Sequence, residues 1–453
     1  MRGIMNVVQP LGLGYLAAVL ERNGHEVTIE DCQCLGTSHA KLIKKLAADS
    51  PDIIGISATT PTFHSAIRAA TLVHKHLPDT FVVIGGAQVC ALPNETMSYD
   101  CFDVGVWGEG EHTLLELVTH LEAQDLVHLR RVKGIVFKHN GSIVETERRP
   151  FIQNLDELPL PARHLLPPLS KYHPAPTSYK QLPNATLMTS RGCAGAQCVF
   201  CDRAGLGFTV RFRSVDNVFD EIEELIHVHG ARDLKFFDDT FTLSPKRVLQ
   251  ICREFKKRHI DIPWCCLART NTVNLEMLRA MRDAGCWQIL YGLESMDPGV
   301  LDKLKKRTTV EQNIRAVKWT HEAGISVRAN FIVGTPFDTL ETMERNVDEA
   351  IKLNMDFAHF NKFTPYPGSE LYKMLTGQGY KFDFETWESQ HDMKGQLLYT
   401  PSFFTENDYR EWLVMAHRRY YLRTRYITRQ LSRIRSINDA GRLWNGFTAV
   451  LNL

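Results

Sequence analysis

The chain has 453 residues, of which 44% are hydrophobic and 23% charged, with a formal net charge of +1. That length exceeds one ordinary core and predicts two or three domains; the even charge excludes a global field for nucleic acid or an acidic partner, and no apolar run is as long as a membrane span. Eleven cysteines behind an amino terminus broken by Pro10, Gly12 and Gly14, without a clear signal cleavage site, predict reduced thiols and a cytoplasmic protein, not a disulfide framework.

Tyr15, Leu16, Val19 and Leu20 have helical spacing, and Gly24 closes that helix. Strand candidates follow at HEVTIED, DIIGIS, FVVIGG and FDVGVWGE, most of them separated by helical patterns such as Thr62 to His76. The alternation predicts a doubly wound, flavodoxin-like α/β domain over residues 1–130, with ligands at the carboxyl ends of its strands. Residues 131–185 read as a hairpin, turning at Asn140-Gly141, and a Pro-rich linker. A second βα series begins at ATLMTSRGC and runs through DLKFFDD, WCCLART, WQILYGLES, SVRANFIVG and DFAHFNKF. Six units are too few for an eight-stranded barrel, so residues 186–375 are expected to form a partial (β/α)6 barrel. Ser244-Pro245 and Asn274 open helices in this series; Gly230, Gly285 and Gly324 close them. Residues 376–453 read as helical. Between Arg410 and Arg435 there are eight Arg and one acid, Glu411, interleaved with Tyr420, Tyr421 and Tyr426. A helix packed on the barrel is the plain reading; peripheral membrane contact and an anion-binding lid are the others.

The chemistry concentrates in TSRGCAGAQCVFC. Cys193, Cys198 and Cys201 follow an apolar strand, which places three thiolates on one loop at the carboxyl end of the first barrel strand, where barrel active sites are built. Soft thiolates select iron–sulfur, zinc or copper(I). A closed zinc site wants four ligands, and the candidates for a fourth are distant in sequence: Cys265, Cys266 or Cys286. Three ligands leave a metal position open for a substrate. On residues alone, an iron–sulfur cluster, a zinc site and unrelated buried thiols all stand.

The loop resembles the cluster-binding loop of radical S-adenosylmethionine (SAM) enzymes, usually C-x3-C-x2-C with an aromatic, here Phe200, before the last Cys. Four residues separate Cys193 from Cys198 where the family has three, and a bulge beside Gly195 is expected to absorb the extra one. The resemblance extends along nearly the whole chain. VRFRSVDNVFDEIEEL, KFFDDTFTL, ILYGLES, ANFIVGTP and FTPYPGSELY look like blocks of radical SAM enzymes. LGLGYLAAVLERNGHEV, PDIIGISATTPT, VVIGGAQVCALP and VWGEGEHTLLEL look like blocks of the cobalamin-binding domain that precedes the barrel in some of them, a group containing the anaerobic magnesium-protoporphyrin ester cyclase and the hopanoid methylases. That group opens with an apolar strand and a loop before PLGLGYLAA, whereas only MRGIMNVVQ stands here. The domain is therefore expected to be shortened at its start.

The resemblance implies a [4Fe-4S] cluster on Cys193, Cys198 and Cys201, whose fourth iron chelates SAM and whose electron cleaves it to a 5′-deoxyadenosyl radical, the protein orienting the cofactor. SAM contacts are implied for the Phe200 backbone, Asp239, Arg269, Glu294 and Gly334. Asp238 and Asp239 cannot face the same way on a strand, so one is expected to point inward and one to cap a neighbour. Cobalamin is implied at Ser57, Thr59, Thr60, Gly85, Gly86, Gly108, Glu109 and Gly110. The D-x-H-x-x-G motif that supplies an axial histidine elsewhere is absent, and Ala87-Gln88 replaces a common Pro-His. His359, Asn361, Lys362, Tyr366 and Trp387 are candidates to line the pocket of a small-molecule substrate. The implied activity is cobalamin-dependent methylation of an unactivated carbon, with flavodoxin or ferredoxin as electron donor. Oxidative cyclisation or another radical rearrangement is the second expectation, and a non-catalytic cobalamin or cluster sensor the third.

Overall fold

The computed structural model describes residues 7–123, 126–193, 197–202, 205–383, 397–432, 434 and 437–451. The bulge expected beside Gly195 and the pocket candidate Trp387 lie outside them. The chain forms two sheets. In the first, Ile53–Ser57 (β1), Phe81–Gly85 (β2) and Val104–Val106 (β3) run parallel, and the hairpin Ile135–His139 (β4) and Ser142–Glu145 (β5) continues the sheet antiparallel, in the spatial order β1-β2-β3-β4-β5. The hairpin turns at Asn140 and Gly141, with φ of 50° and 76°, the left-handed pair that a two-residue turn of this kind requires. The expected hairpin thus joins the first sheet through Ile135–His139 and Ser142–Glu145. Helices cover both faces. Phe63, Ala66, Ala70 and Val73 of Phe63–His76 pack with Val82 and Ile84, and Leu117 of Glu111–Glu122 packs on the opposite face with Val83, Val104 and Ile135.

HEVTIED, expected as a strand, forms none. Val27 and Ile29 pack instead on Ala17, Ala18 and Ala162. Alternation selects which side chains are buried, not a ladder partner, and here the helix Leu11–Arg22 takes those side chains. The strand beside β1 in this reading is missing, so β1 is the edge of the described sheet.

The second sheet has the expected six parallel strands. Asn184–Leu187 (β6) leads through the two-residue ribbon Ser190–Arg191 (β7) and Arg211–Phe212 (β8) to Asp233–Phe236 (β9), Trp264–Ala268 (β10), Cys286–Glu294 (β11), Ser326–Val333 (β12) and Phe357–Lys362 (β13), in the order β6-β9-β10-β11-β12-β13. Two of the intervening helices start at the expected caps, the Ser244 and Asn274 side chains accepting from Arg247 and Met277 N–H, and Ser214 caps another by accepting from Asn217 N–H. Alternate strand residues, among them Leu234, Phe236, Cys266, Ile289, Tyr291, Val327 and Ala329, face these helices and form one core. Strand periodicity turns the residues between them to the concave side.

The carboxyl-terminal helix Glu406–Tyr421 lies against β13 and takes up the sheet's second edge. Tyr421 Oη accepts from Ala358 N–H at 3.1 Å and donates to Ala358 O at 2.8 Å, supplying the partner that a further strand would supply. Tyr409, Tyr420 and Tyr426 donate to the carbonyls of Val333, Met355 and Asp356. Arg419 pairs with Glu344 and Asp348, while Arg423 and Arg429 donate to Ile351, Asn354 and Met355 carbonyls. Packing on the barrel therefore accounts for these tyrosines and arginines. No described helix is long and apolar enough to cross a membrane.

Candidate active site

The register of the first sheet aligns Ser57 with Gly85 and Gly85 with Val106. The three loops that follow therefore stand side by side at one rim. They are laced together: Gln88 N–H donates to Ala58 O at 3.2 Å, and Gly108 N–H donates to the Cys90 sulfur at 3.2 Å. Gly86 has φ of 101°, and a Cβ there would lie 2.6 Å from Ala58 O, so only glycine permits this closeness. Thr59 and Thr62 close a capping box that starts the next helix, and Thr60 is buried. Around Gly108 the space is open, since a Cβ would meet nothing within 4 Å. Both polar atoms of the Gln88 amide are buried without a partner.

Cys193 and Cys198 are buried against one another, and Phe200 and Cys201 pack on them. The loop is positioned from three sides. Asp238 accepts from Thr189 N–H (2.7 Å), Thr189 Oγ1 (2.6 Å) and Ser190 Oγ (2.7 Å), anchoring the strand that precedes Cys193, and burial holds its carboxyl above the usual range. Val199 is bracketed by the backbone of Leu304 and Leu371, beyond β11 and β13. A Cβ on Gly368 would lie 2.5 Å from Asp202 Cγ, which brings the segment after β13 onto the end of the loop. Asp238 is thus the buried, anchoring member of its pair, and Asp239 sits half-buried beside Thr240, whose Oγ1 is 3.8 Å from the Cys193 sulfur. Tyr366 lies near Cys201; burial and that thiol push its hydroxyl up to about 12.

The other barrel residues meet on the same rim. Glu294 ends β11 with φ of 62°, unusual for a side chain and a form of strain that concentrates at working sites. Its Oε1 accepts from Lys306 Nζ at 2.7 Å, and Lys306 stands over the Phe200 ring at 5.8 Å. Arg269 donates to Lys306 O at 2.5 Å. A Cβ on Gly292 would sit 2.3 Å from the Glu294 carboxylate, so the glycine makes room for it to fold back. Gly334 is left-handed too, and the space its Cβ would need holds the Tyr409 hydroxyl. Sequence reasoning passed over Thr240 and Lys306. The Lys305-Lys306-Arg307 run was a usable signal for Lys306; nothing local marked Thr240. Asn361 donates to Phe331 O at 3.2 Å.

The distant cysteines are engaged elsewhere. Cys265 donates to Ser178 O at 3.7 Å, and Cys286 donates to Gln288 O at 3.6 Å while hydrogen-bonding with Cys266. Cys193, Cys198 and Cys201 share one loop, and among the described residues no group of three or more His, Cys, Asp or Glu side chains is already arranged to hold a metal ion.

Buried ions tie the two rims together. Arg191, two residues before Cys193, pairs with Glu109 at 2.9 Å and Glu111 at 2.6 Å, and Arg211 pairs with Glu109 at 2.7 Å. The second Glu109 oxygen also accepts from Ile152 N–H at 2.7 Å. Glu109, expected at a ligand, thus has both oxygens committed to the domain junction; of its glycine neighbours, Gly108 borders open space, whereas a Cβ on Gly110 would lie 3.1 Å from the Leu16 side chain. A second group joins Gln9, Arg163, Glu221 and Arg213. A Cβ on Gly205 would be 3.5 Å from the Cys90 sulfur, so the cysteine loop reaches the first domain's rim. The loops at the carboxyl ends of the two sheets therefore meet.

Residues 3–118 match the B12 binding domain family, and residues 187–350 match the Radical SAM superfamily. Over 367 residues the chain is 38% identical to an uncharacterized methyltransferase of Pyrococcus horikoshii, covering 80% of this chain and 78% of that one. It is 31% identical over 385 residues to the anaerobic magnesium-protoporphyrin IX monomethyl ester cyclase of Rubrivivax gelatinosus, covering 83% and 68% of the two chains. The fold matches that of the cobalamin-dependent SAM radical enzyme OxsB with aqua-cobalamin and SAM bound (TM-score 0.77, 20% identity, 99% of this chain and 69% of that one). Against another OxsB structure, with aqua-cobalamin bound, the match covers 83% of this chain and 54% of the solved one (TM-score 0.68, 24% identity). The radical SAM methyltransferase TsrM from Kitasatospora setae, with cobalamin and a [4Fe-4S] cluster bound, matches with a TM-score of 0.68 at 20% identity over 88% of this chain and 77% of that one.

Proposed function

The chain belongs to the radical SAM enzymes that carry an amino-terminal cobalamin-binding domain, and on that premise we propose that it methylates an unactivated carbon of a small molecule held between its two rims. When bound, the [4Fe-4S] cluster and SAM supply the radical that removes hydrogen, and the corrinoid carries the methyl group. The observation that carries the reading is the meeting of the Cys193–Cys198–Cys201 loop with the Cys90 and Gly108 rim.

In this reading Cys193, Cys198 and Cys201 hold the cluster as thiolates. Glu294 accepts from the SAM ammonium or ribose hydroxyls, its strained backbone fixing the carboxylate over the cluster loop. Arg269 stands ready for the SAM carboxylate, the Phe200 backbone, Asp239 and Gly334 border the adenosine, and Lys306 holds the Glu294 side chain in place. Ser57, Thr59, Thr60, Gly85, Gly86, Gly108 and Gly110 cradle the corrinoid from the first rim, and the orphaned Gln88 amide offers it a hydrogen bond. Glu109, Arg191 and Arg211 keep the rims in register. A flavodoxin or ferredoxin supplies the electron.

Product analysis tests the proposal. Methyl transfer yields S-adenosylhomocysteine and 5′-deoxyadenosine together, one of each per methylated product. Cyclisation, the reading favoured by the likeness to the Rubrivivax enzyme, yields 5′-deoxyadenosine without S-adenosylhomocysteine, and that outcome would replace methylation.

A further inference from the structure

The concave face of the half-barrel is unlike an ordinary core. In TIM-type barrels this face is filled mainly by branched apolar side chains. Here Asn184 and Asp233 share one register level, and Thr186, Lys235, Cys265, Gln288 and Ser326 share the next. Arg328 follows two residues above Ser326. Asn184, Thr186, Lys235 and Gln288 are all more than nine-tenths buried. Both side-chain polar atoms of Asn184, Thr186 Oγ1, Gln288 Nε2 and Arg328 Nε are buried and without a partner. A buried donor without an acceptor is costly, so several on one face suit that face to a polar ligand.

Charge gives the ligand its sign. Lys235 and Arg328 lie close enough for the arginine to disfavour the lysine's charge, and among the described residues neither is ion-paired. Lys235 stands over the Phe237 ring at 4.8 Å, and Arg328 donates to the neutral Ser178 Oγ at 2.7 Å. The acid of this face, Asp233, accepts from the N–H groups of Lys180 and Gln181, and burial raises it to about 7. It offsets at most one of the two cations. Burial draws Lys235 down to about 8, so the amine is held charged at neutral pH against its surroundings.

We propose that this face binds an anionic oxygen group of the substrate, a phosphate or a carboxylate, through Lys235 and Arg328 with Gln288 and Asn184 as further donors. Cys265 lies four residues before Arg269 on β10, about 13 Å along the strand. The substrate is therefore an elongated molecule, anchored by its anion inside the barrel, with its reacting carbon at the rim. The inference rests on the radical SAM reading for the rim but not for the anion.

The test is titration calorimetry of the reconstituted, SAM- and cobalamin-loaded enzyme with inorganic phosphate, acetate and neutral glycerol. One saturable site is expected for phosphate or acetate and none for glycerol, the tighter anion identifying the group. Lys235→Met and Arg328→Met should each weaken it at least tenfold, and Arg425→Gln, on the exposed face of the carboxyl-terminal region, should leave it unchanged. In the unaltered chain the bound anion should slow reductive methylation of Lys235, read by peptide mass spectrometry, several-fold more than that of exposed Lys246; this holds whatever the variants' folding. No saturable site for either anion, binding kept by both methionine variants, or no protection of Lys235 would overturn the proposal. Cleavage of SAM to 5′-deoxyadenosine by the same preparation reports on the radical chemistry separately.

Discussion

Replacing Arg191 by Met should loosen the joint on which the two rims depend. Arg191, Glu109 and Glu111 have side chains 5–7% exposed. After the substitution Glu109 keeps Arg211 at 2.7 Å and the Ile152 N–H at 2.7 Å. Glu111 loses the partner it holds at 2.6 Å, and among the described residues it has no second cation. A buried charge left alone in this way costs about 3–5 kcal/mol, and losing the guanidinium from over the Tyr15 ring, 5.1 Å away, adds about 0.5–1 kcal/mol. Urea unfolding of the cofactor-free chain, followed by circular dichroism, should thus show a loss of about 4 kcal/mol. Converting Glu111 to Gln in that background removes the stranded charge and leaves a neutral amide, so about 2 kcal/mol should return. A single variant within about 1 kcal/mol of the parent, or strictly additive substitutions, would refute the claim that this buried network holds the domains together.

Gly86→Ala puts a Cβ 2.6 Å from a backbone oxygen at φ of 101°; the first rim must shift, and cobalamin binding, read from the corrinoid visible spectrum, should weaken at least tenfold on the scale of about 1–3 kcal/mol of backbone strain. Glu294→Gln should raise the KM for SAM about 10- to 100-fold, as expected for a charge-assisted hydrogen bond worth about 1.5–3 kcal/mol, while the cluster absorbance stays intact; an unchanged KM would remove Glu294 from the SAM site. Lys235 is drawn from 10.5 to about 8 by burial, so between these values the unfolded chain holds more protons and stability rises with pH. Lys235→Met should abolish that rise and stabilise the anion-free chain at pH 7 by up to about 3 kcal/mol, which thermal melts at pH 7 and 10 would show.

The sequence told most where a single local pattern decides the outcome. Six strand–helix units became six parallel strands, the Asn140-Gly141 turn formed as read, and the Cys193 loop stands at a strand's carboxyl end because the chain's own order of strand and loop puts it there. Local pattern failed where the partner is remote. The alternation of HEVTIED was genuine, yet its apolar side chains went to a helix and no ladder formed. Glu109, in a glycine-rich loop, looked like a ligand residue because the arginines that claim it lie 82 and 102 positions away. The basic, tyrosine-rich tail read most plainly as a helix packed on the barrel, and it is one; local pattern did not show that it covers the open edge of β13, where Tyr421 meets the Ala358 N–H and carbonyl. The concave face was hidden for a related reason. Lys235 and Arg328 each read as one polar residue in an apolar strand, and only the register reveals that they share a space.

The account depends most on three thiolates holding a cluster with one open iron. Anaerobic reconstitution followed by iron and sulfide analysis, on the parent chain and on Cys193→Ala, Cys198→Ala and Cys201→Ala separately, measures this directly. About four irons and four sulfides per chain are expected in the parent, with SAM cleavage, and loss of both in every variant. A parent without iron and sulfide, or a variant that keeps a full cluster and still cleaves SAM, would contradict it.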